Sequence, residues 1–110
     1  MKYKLLETRE ALDDVEGFAE YIVKNFNNID AARDFLDKYD REVERLKNFP
    51  FGYRGVSFEY HGYEIRIKSF DTYNVFFAID TLGKNIFILR VLKDRQDWKS
   101  ILDNQNEYNF

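Results

Sequence analysis

Three segments of this chain, Tyr63-Glu64-Ile65-Arg66-Ile67-Lys68-Ser69, Tyr73-Asn74-Val75-Phe76-Phe77-Ala78-Ile79-Asp80 and Asn85-Ile86-Phe87-Ile88-Leu89-Arg90-Val91-Leu92, follow one another with only turn-forming residues between them. In the first, Tyr63, Ile65 and Ile67 alternate with Glu64, Arg66 and Lys68, the period of two expected of a strand with one buried face. The second is apolar almost throughout and suits the middle of a sheet. In the third, the alternation places Ile86, Ile88, Arg90 and Leu92 on one face and Phe87, Leu89 and Val91 on the other. His61-Gly62, Asp71-Thr72 and Leu82-Gly83-Lys84 supply the turns, with Gly83 expected to take positive φ. Consecutive strands joined this tightly pair antiparallel.

Upstream the period changes to 3.6. Lys2–Glu7 reads as a short first strand with Tyr3 and Leu5 on one face. Thr8 is the expected N-cap of a helix whose stripe is Ala11, Leu12, Val15, Phe18, Ala19 and Ile22, with Glu10 in its first turn. Asn27-Asn28 tolerates left-handed backbone and ends it. A second helix is expected to start with Asp30 as cap, to bury Ala32, Phe35, Leu36, Tyr39, Val43 and Leu46, and to stop before Pro50. Two helices joined by so short a polar link form an antiparallel hairpin. Phe51–Tyr60, punctuated by Gly52 and Gly55, is the least legible stretch, with an edge strand as one option. Asp94 to Leu102 is expected to be a short helix turning Trp98, Ile101 and Leu102 inward, and Asp103–Phe110 a flexible polar tail. The expected fold is α+β: an N-terminal strand, an antiparallel helical hairpin packed on an antiparallel β-sheet, and a short C-terminal helix, forming one domain over 1–110.

Composition limits the function classes. The 110 residues are 45% hydrophobic and include eleven Phe and eight Tyr, enough for one aromatic-rich core. The absence of Cys excludes disulfides and thiolate metal sites. No apolar run reaches the roughly 20 residues of a membrane span, and Met1-Lys2-Tyr3-Lys4 is unlike a signal peptide. A cytoplasmic protein with no membrane partner is expected. Residues 1–48 carry 9 Lys/Arg against 12 Asp/Glu, and residues 49–102 carry 8 against 6. That mild basic bias on the sheet half fits a weak anion-binding surface, not a strongly electrostatic nucleic-acid grip.

The order of these elements, together with Ala11-Leu12-Asp13-Asp14, Tyr21-Ile22, Ala31-Ala32 with Phe35, Leu46, Pro50, Tyr63-Glu64-Ile65-Arg66, the Tyr73–Asp80 run, Ile88-Leu89-Arg90-Val91-Leu92 and Arg95-Gln96-Asp97-Trp98, resembles the RelE/ParE superfamily of type II toxin–antitoxin toxins. The resemblance covers Tyr3 to about Leu102 and implies a cognate antitoxin as partner. RelE-type members cut mRNA on the ribosome without a metal or cofactor, and ParE-type members inhibit DNA gyrase. A third option is a toxin fold that only binds its antitoxin. Fold alone does not choose among them.

If the chain cuts RNA, the resemblance nominates Arg66, Lys68 and Arg95 as catalytic residues and Arg66, Lys68, Arg90 and Lys93 as phosphate-binding residues. Arg66 would hold a phosphate bidentately from a sheet surface opposite the helices. The sequence departs from RelE-type nucleases at Asn74, where they carry an arginine, and at Ser100 and Ile101, where they carry an acid–base residue; Tyr108 is a remote substitute. His61, the lone histidine, reads as a turn residue, Asp13, Asp14 and Glu16 as a solvated helix face, and Trp98 as a core anchor. No metal ligand set is expected.

Overall fold

The computed structural model describes residues 3–105 and 107–110. Strand β1 (Lys4–Glu7) leads into α1 (Arg9–Phe26) and α2 (Ile29–Leu46). A single 3-10 turn at Pro50–Gly52 precedes β2 (Gly55–Tyr60), β3 (Tyr63–Phe70), β4 (Tyr73–Asp80) and β5 (Asn85–Lys93), and α3 (Trp98–Asn104) follows. The least legible segment is thus an edge strand, paired with β3 through an irregular register. Lys2, assigned to the first strand by its sequence, lies outside the described residues.

Both helix starts follow from hydrogen-bond need. Thr8 Oγ1 accepts from the Ala11 N–H at 2.9 Å and donates to the Leu89 carbonyl at 2.8 Å, so one buried hydroxyl caps α1 and ties it to β5. Asn27 closes α1 in the left-handed region, with φ of 48°. The cap of α2 is Asn28, whose side chain accepts from Ala31 N at 2.9 Å, not the expected Asp30. The linker is only two residues long, so the cap falls immediately after the left-handed Asn27, and Asp30 sits inside the first turn, where its charge still suits the dipole.

The strands form one five-stranded sheet in the order β1-β5-β4-β3-β2. β2 to β5 are an antiparallel meander, as expected. β1 adds to the far edge beside β5 and runs parallel to it, which makes the sheet mixed. The helical hairpin lies between β1 and the meander in the chain, and this long connection permits the parallel pairing.

Two apolar clusters sandwich the sheet. On one face α1 and α2 bring Ala11, Val15, Phe35, Tyr39, Val43 and Leu46 against Tyr73, Val75, Phe77, Ile79, Ile86, Ile88 and Val91. Phe18, Phe35, Phe70 and Tyr73 interlock there, the closest pair with ring centroids 4.7 Å apart. Leu12 and Leu36, assigned to the buried stripes by spacing, are instead 41% and 36% exposed, because each lies at the flank of its stripe. On the other face α3 and Tyr108 cover Val56, Ile65, Ile67, Phe76, Ala78, Leu89 and Leu92. Burial on both faces explains why β4 is apolar at both parities; fully burying Phe76 and Phe77 stabilises the fold by about 1.5–3 kcal/mol each.

β5 corrects the expected face assignment. Phe76 pairs with Arg90 but Phe77 with Ile88, so Leu89 is an extra residue opposite one step of β4. This bulge shifts the alternation by one. Val91 joins Ile86 and Ile88 beneath the helices, and Leu92 joins Phe87 and Leu89 on the other face. The β4–β5 turn differs too. Lys84, not Gly83, adopts the left-handed conformation, with φ of 57°. A Cβ on Gly83 would meet the ends of the Asp80 and Asn85 side chains, which would have to move; the Asp80 carboxylate accepts the Gly83 N–H at 3.0 Å.

Candidate functional site

β3 presents Ile65 and Ile67 to the α3 face, so Arg66 and Lys68 point to the helix side, contrary to the expected placement opposite the hairpin. Lys68 is buried. Its Nζ lies 3.0 Å from Glu42 on α2 and donates to Tyr53 Oη at 2.7 Å. Arg66 donates to the Tyr53 carbonyl at 2.7 Å and to that of Phe51 at 3.4 Å, with its guanidinium over the Phe51 ring. A period of two states that a strand has two faces; it does not state which one the helices cover, and here both are covered.

Arg90 is held by Asp14, with Nε and Nη2 donating to the two carboxylate oxygens at 2.8 and 2.9 Å. Nη1 donates to Gln105 Oε1 at 3.0 Å. The paired carboxylate raises the Arg90 pKa further, against the opposing effect of burial. Asp14 also accepts the Val91 N–H at 2.9 Å. The bulge at Leu89 leaves this N–H free of β4 and sets Arg90 towards α1. Reading Asp13, Asp14 and Glu16 as a solvated face therefore holds for the exposed Asp13 and Glu16 and fails for Asp14. No local sequence signal marks a pair separated by this many residues.

Lys93 lies on the helix side, its Nζ 5.7 and 5.6 Å from the Tyr21 and Tyr73 ring centres. A cleft of about 520 Å³ opens beside it, lined also by Asp13, Gly17, Phe18 and Gln96. Arg95 is exposed and makes no salt bridge among the described residues. Asp97, two residues on, caps α3 by accepting from Ser100 N at 3.3 Å. The five cations thus fall into three places: Arg66 and Lys68 meet near Tyr53, Arg90 is held by Asp14, and Lys93 and Arg95 line, with Thr72 and Asp94, a cavity of about 370 Å³.

Asn74 is buried and links two other polar groups. Its Oδ1 accepts from Ser69 Oγ at 2.6 Å and its Nδ2 donates to Asp94 Oδ1 at 2.9 Å. This chain of neutral and acidic groups brings no positive charge to the Asn74 position. His61 is exposed in the β2–β3 turn at φ of 49°. Trp98 packs on Phe76 at 5.3 Å between centroids. Among the described residues no group of three His, Cys, Asp or Glu is placed to hold a metal ion, and no helix is long and apolar enough to cross a membrane.

The outer surface of the hairpin carries a groove to which three residues of the expected buried stripes, Ala19, Ala32 and Leu36, contribute. Between α1 and α2 a groove of about 430 Å³ has Ala19, Val23, Ile29, Ala32 and Leu36 for its floor and Glu16, Glu20, Lys24 and Arg33 for its rim. Ile29 is 60% exposed.

No curated protein sequence matches the chain significantly. Among solved structures it is similar to a chain of the chromosomal ParDE toxin–antitoxin system from P. aeruginosa, at 21% identity and a TM-score of 0.68, covering 84% of this chain and 96% of that one. It is also similar to a chain of the RelBE2 toxin–antitoxin complex from Mycobacterium tuberculosis, at 17% identity and a TM-score of 0.59, covering 84% and 99%. At these identities the likeness establishes the fold. Residues 5–98 match the family described as the ParE toxin of the type II toxin–antitoxin system, parDE. With most of its length matched, the chain belongs to the ParE toxin family of type II toxin–antitoxin systems.

Proposed function

We propose that this toxin acts by binding a protein target, DNA gyrase, and that an antitoxin silences it by covering the groove between α1 and α2. One observation carries the first half: three of the five cations nominated for RNA cleavage, Arg66, Lys68 and Arg90, are committed to internal partners. Metal-free cleavage requires a cation on the phosphoryl oxygens and a group to move protons at the 2′-hydroxyl and the leaving oxygen. Lys68 answers Glu42 and Tyr53, Arg90 answers Asp14, and Arg66 answers two backbone carbonyls. Releasing any of them for a phosphate would strand its partner. The face opposite the hairpin is also occupied by α3 and Tyr108.

The groove supports the second half. Its apolar floor with a rim of both charge signs suits the apolar stripe of a partner segment. The similar ParDE and RelBE2 chains were both solved as toxin–antitoxin assemblies. A second reading, ribosome-dependent mRNA cleavage, is favoured by the exposed Arg95, which neighbours Asp94 of the Asn74 cluster.

Gyrase supercoiling and in vitro translation, run side by side, test the proposal. Inhibited supercoiling with no codon-phased mRNA breaks on primer extension is the expected result. Phased breaks that disappear in Arg95→Ala would install the second reading. No effect in either assay, with normal growth when the chain is induced without antitoxin, would reduce it to an antitoxin-binding fold.

A further inference from the structure

The end of β5 and the start of α3 carry three cations, Lys93, Arg95 and Lys99, and none of them makes a salt bridge among the described residues. The carboxylates interspersed with them are engaged. Asp94 accepts from Asn74 Nδ2 at 2.9 Å, and Asp97 accepts from Ser100 N at 3.3 Å. In the neighbouring β3–β4 turn, Asp71 is bridged to Lys38 at 2.7 Å. Lys93 and Arg95 share their cavity with the exposed Thr72, whose hydroxyl is a further donor, and with Asp94. The link to α3 is tightly turned. Gln96 N donates to the Lys93 carbonyl at 3.0 Å and Trp98 N to that of Gln96 at 2.8 Å, so Lys99 follows closely on Arg95.

Two cations and a hydroxyl around one cavity suit a phosphodiester, whose oxygens accept from all three. The aromatic rings of this region favour a duplex over a single strand. Single strands are gripped by stacking their bases on open ring faces. Here Lys93 sits over Tyr21 and Tyr73, and Tyr21 also meets Phe26. Lys99 Nζ lies 5.6 Å from the ring centre of Trp98, which packs on Phe76 as well. Rings already faced by cations and by other rings offer bases little to stack on. A duplex keeps its bases stacked on one another and presents its phosphates outward. We propose that Lys93, Arg95 and Lys99, with the Thr72 hydroxyl, form a docking strip for the phosphate backbone of duplex DNA, independent of its sequence. The grip is modest, because each cation neutralises one phosphate and the chain as a whole carries a net charge of −3. Asp13, exposed in the cleft beside Lys93, opposes it. The inference goes beyond the gyrase reading and does not rest on it, since the ligand is DNA alone.

The test is fluorescence anisotropy of the full chain with a labelled duplex of about 20 base pairs, titrated at several salt concentrations. Three neutralised phosphates give the logarithm of the association constant a slope of about −2.7 against that of salt, or about fortyfold weaker binding between about 50 and 200 mM. Lys93→Gln, Arg95→Gln and Lys99→Gln together should flatten that slope by about 2 to 3. Arg95→Gln with Lys99→Gln, which leaves Lys93 over its rings, should flatten it by about 1 to 2. Lys4→Gln, Arg41→Gln and Arg54→Gln change the net charge equally at exposed positions outside the strip and should leave the slope as it is. Asp13→Asn should tighten binding by about twofold. A single strand of the same sequence should bind more weakly than the duplex. Three results would overturn the proposal: no duplex binding at about 100 μM in about 50 mM salt, a slope flattened as much by the control substitutions, or a single strand held more tightly than the duplex.

Discussion

Asp14→Ala should be among the most damaging single changes in this chain, although its sequence context is that of an exposed helix face. The carboxylate accepts three hydrogen bonds, two from Arg90 and one from the Val91 N–H. Side-chain exposures of 18% for Arg90 and 14% for Asp14 make the pair partly buried. Losing the carboxylate partner of a fully buried guanidinium would cost about 3–5 kcal/mol. Partial exposure lowers the charged share to about 1–3 kcal/mol, and the orphaned Val91 N–H adds about 1 kcal/mol. The expected loss is therefore about 2–4 kcal/mol, which for a domain of this size lowers Tm by about 9–17 °C. Thermal and urea unfolding followed by circular dichroism at fixed pH and salt measure it. Asp14→Asn, which keeps an acceptor for Val91, should cost less. Pairing Asp14→Ala with Arg90→Met should recover part of the loss, since the stranded charge is gone. A loss below about 1 kcal/mol, or a double variant that is simply additive, would refute the reasoning.

Two further outcomes follow from the same contacts. Thr8→Val keeps the shape of the side chain but removes the α1 cap and the bond to Leu89, so it should cost about 1–2 kcal/mol in urea unfolding; a neutral change would show that the hydroxyl stabilises nothing. The 107–110 segment should be pH-sensitive at both extremes. Burial pushes the Glu10 carboxyl up, but hydrogen bonds from Asn109 outweigh it and the net value is lowered; its contribution is present above the ordinary value of about 4.3 and lost as pH falls through the folded one. Burial, opposed by Arg90, pushes the Tyr108 hydroxyl up to about 12, so its contribution is present below about pH 10 and lost as pH rises beyond it. Tyr108 and Phe110 ring resonances that stay fixed through both windows would contradict this.

Much of the fold was legible because it rests on local rules. The change from a period of 3.6 to a period of 2, the Thr8 cap, the left-handed Asn27 and the His61-Gly62 turn each act within a few residues, and each is in place. The Asn28 cap and the left-handed Lys84 were missed by one or two residues, within the reach of the same rules but below their resolution. The site was far less legible. Asp14 and Arg90 lie on different elements, and their pairing requires a bulge that alternation does not announce.

The sequence by itself determined which residues are apolar, at what period they recur and where the chain must turn, and from these came two helices and a meander. Only the tertiary structure decided that β1 lies parallel at the far edge, that Lys68 of β3 turns towards α2, and that Tyr108 packs on the opposite face. The physical reason is that periodicity records a residue's relation to its own element, whereas a charge acquires its partner from whichever element packs against it.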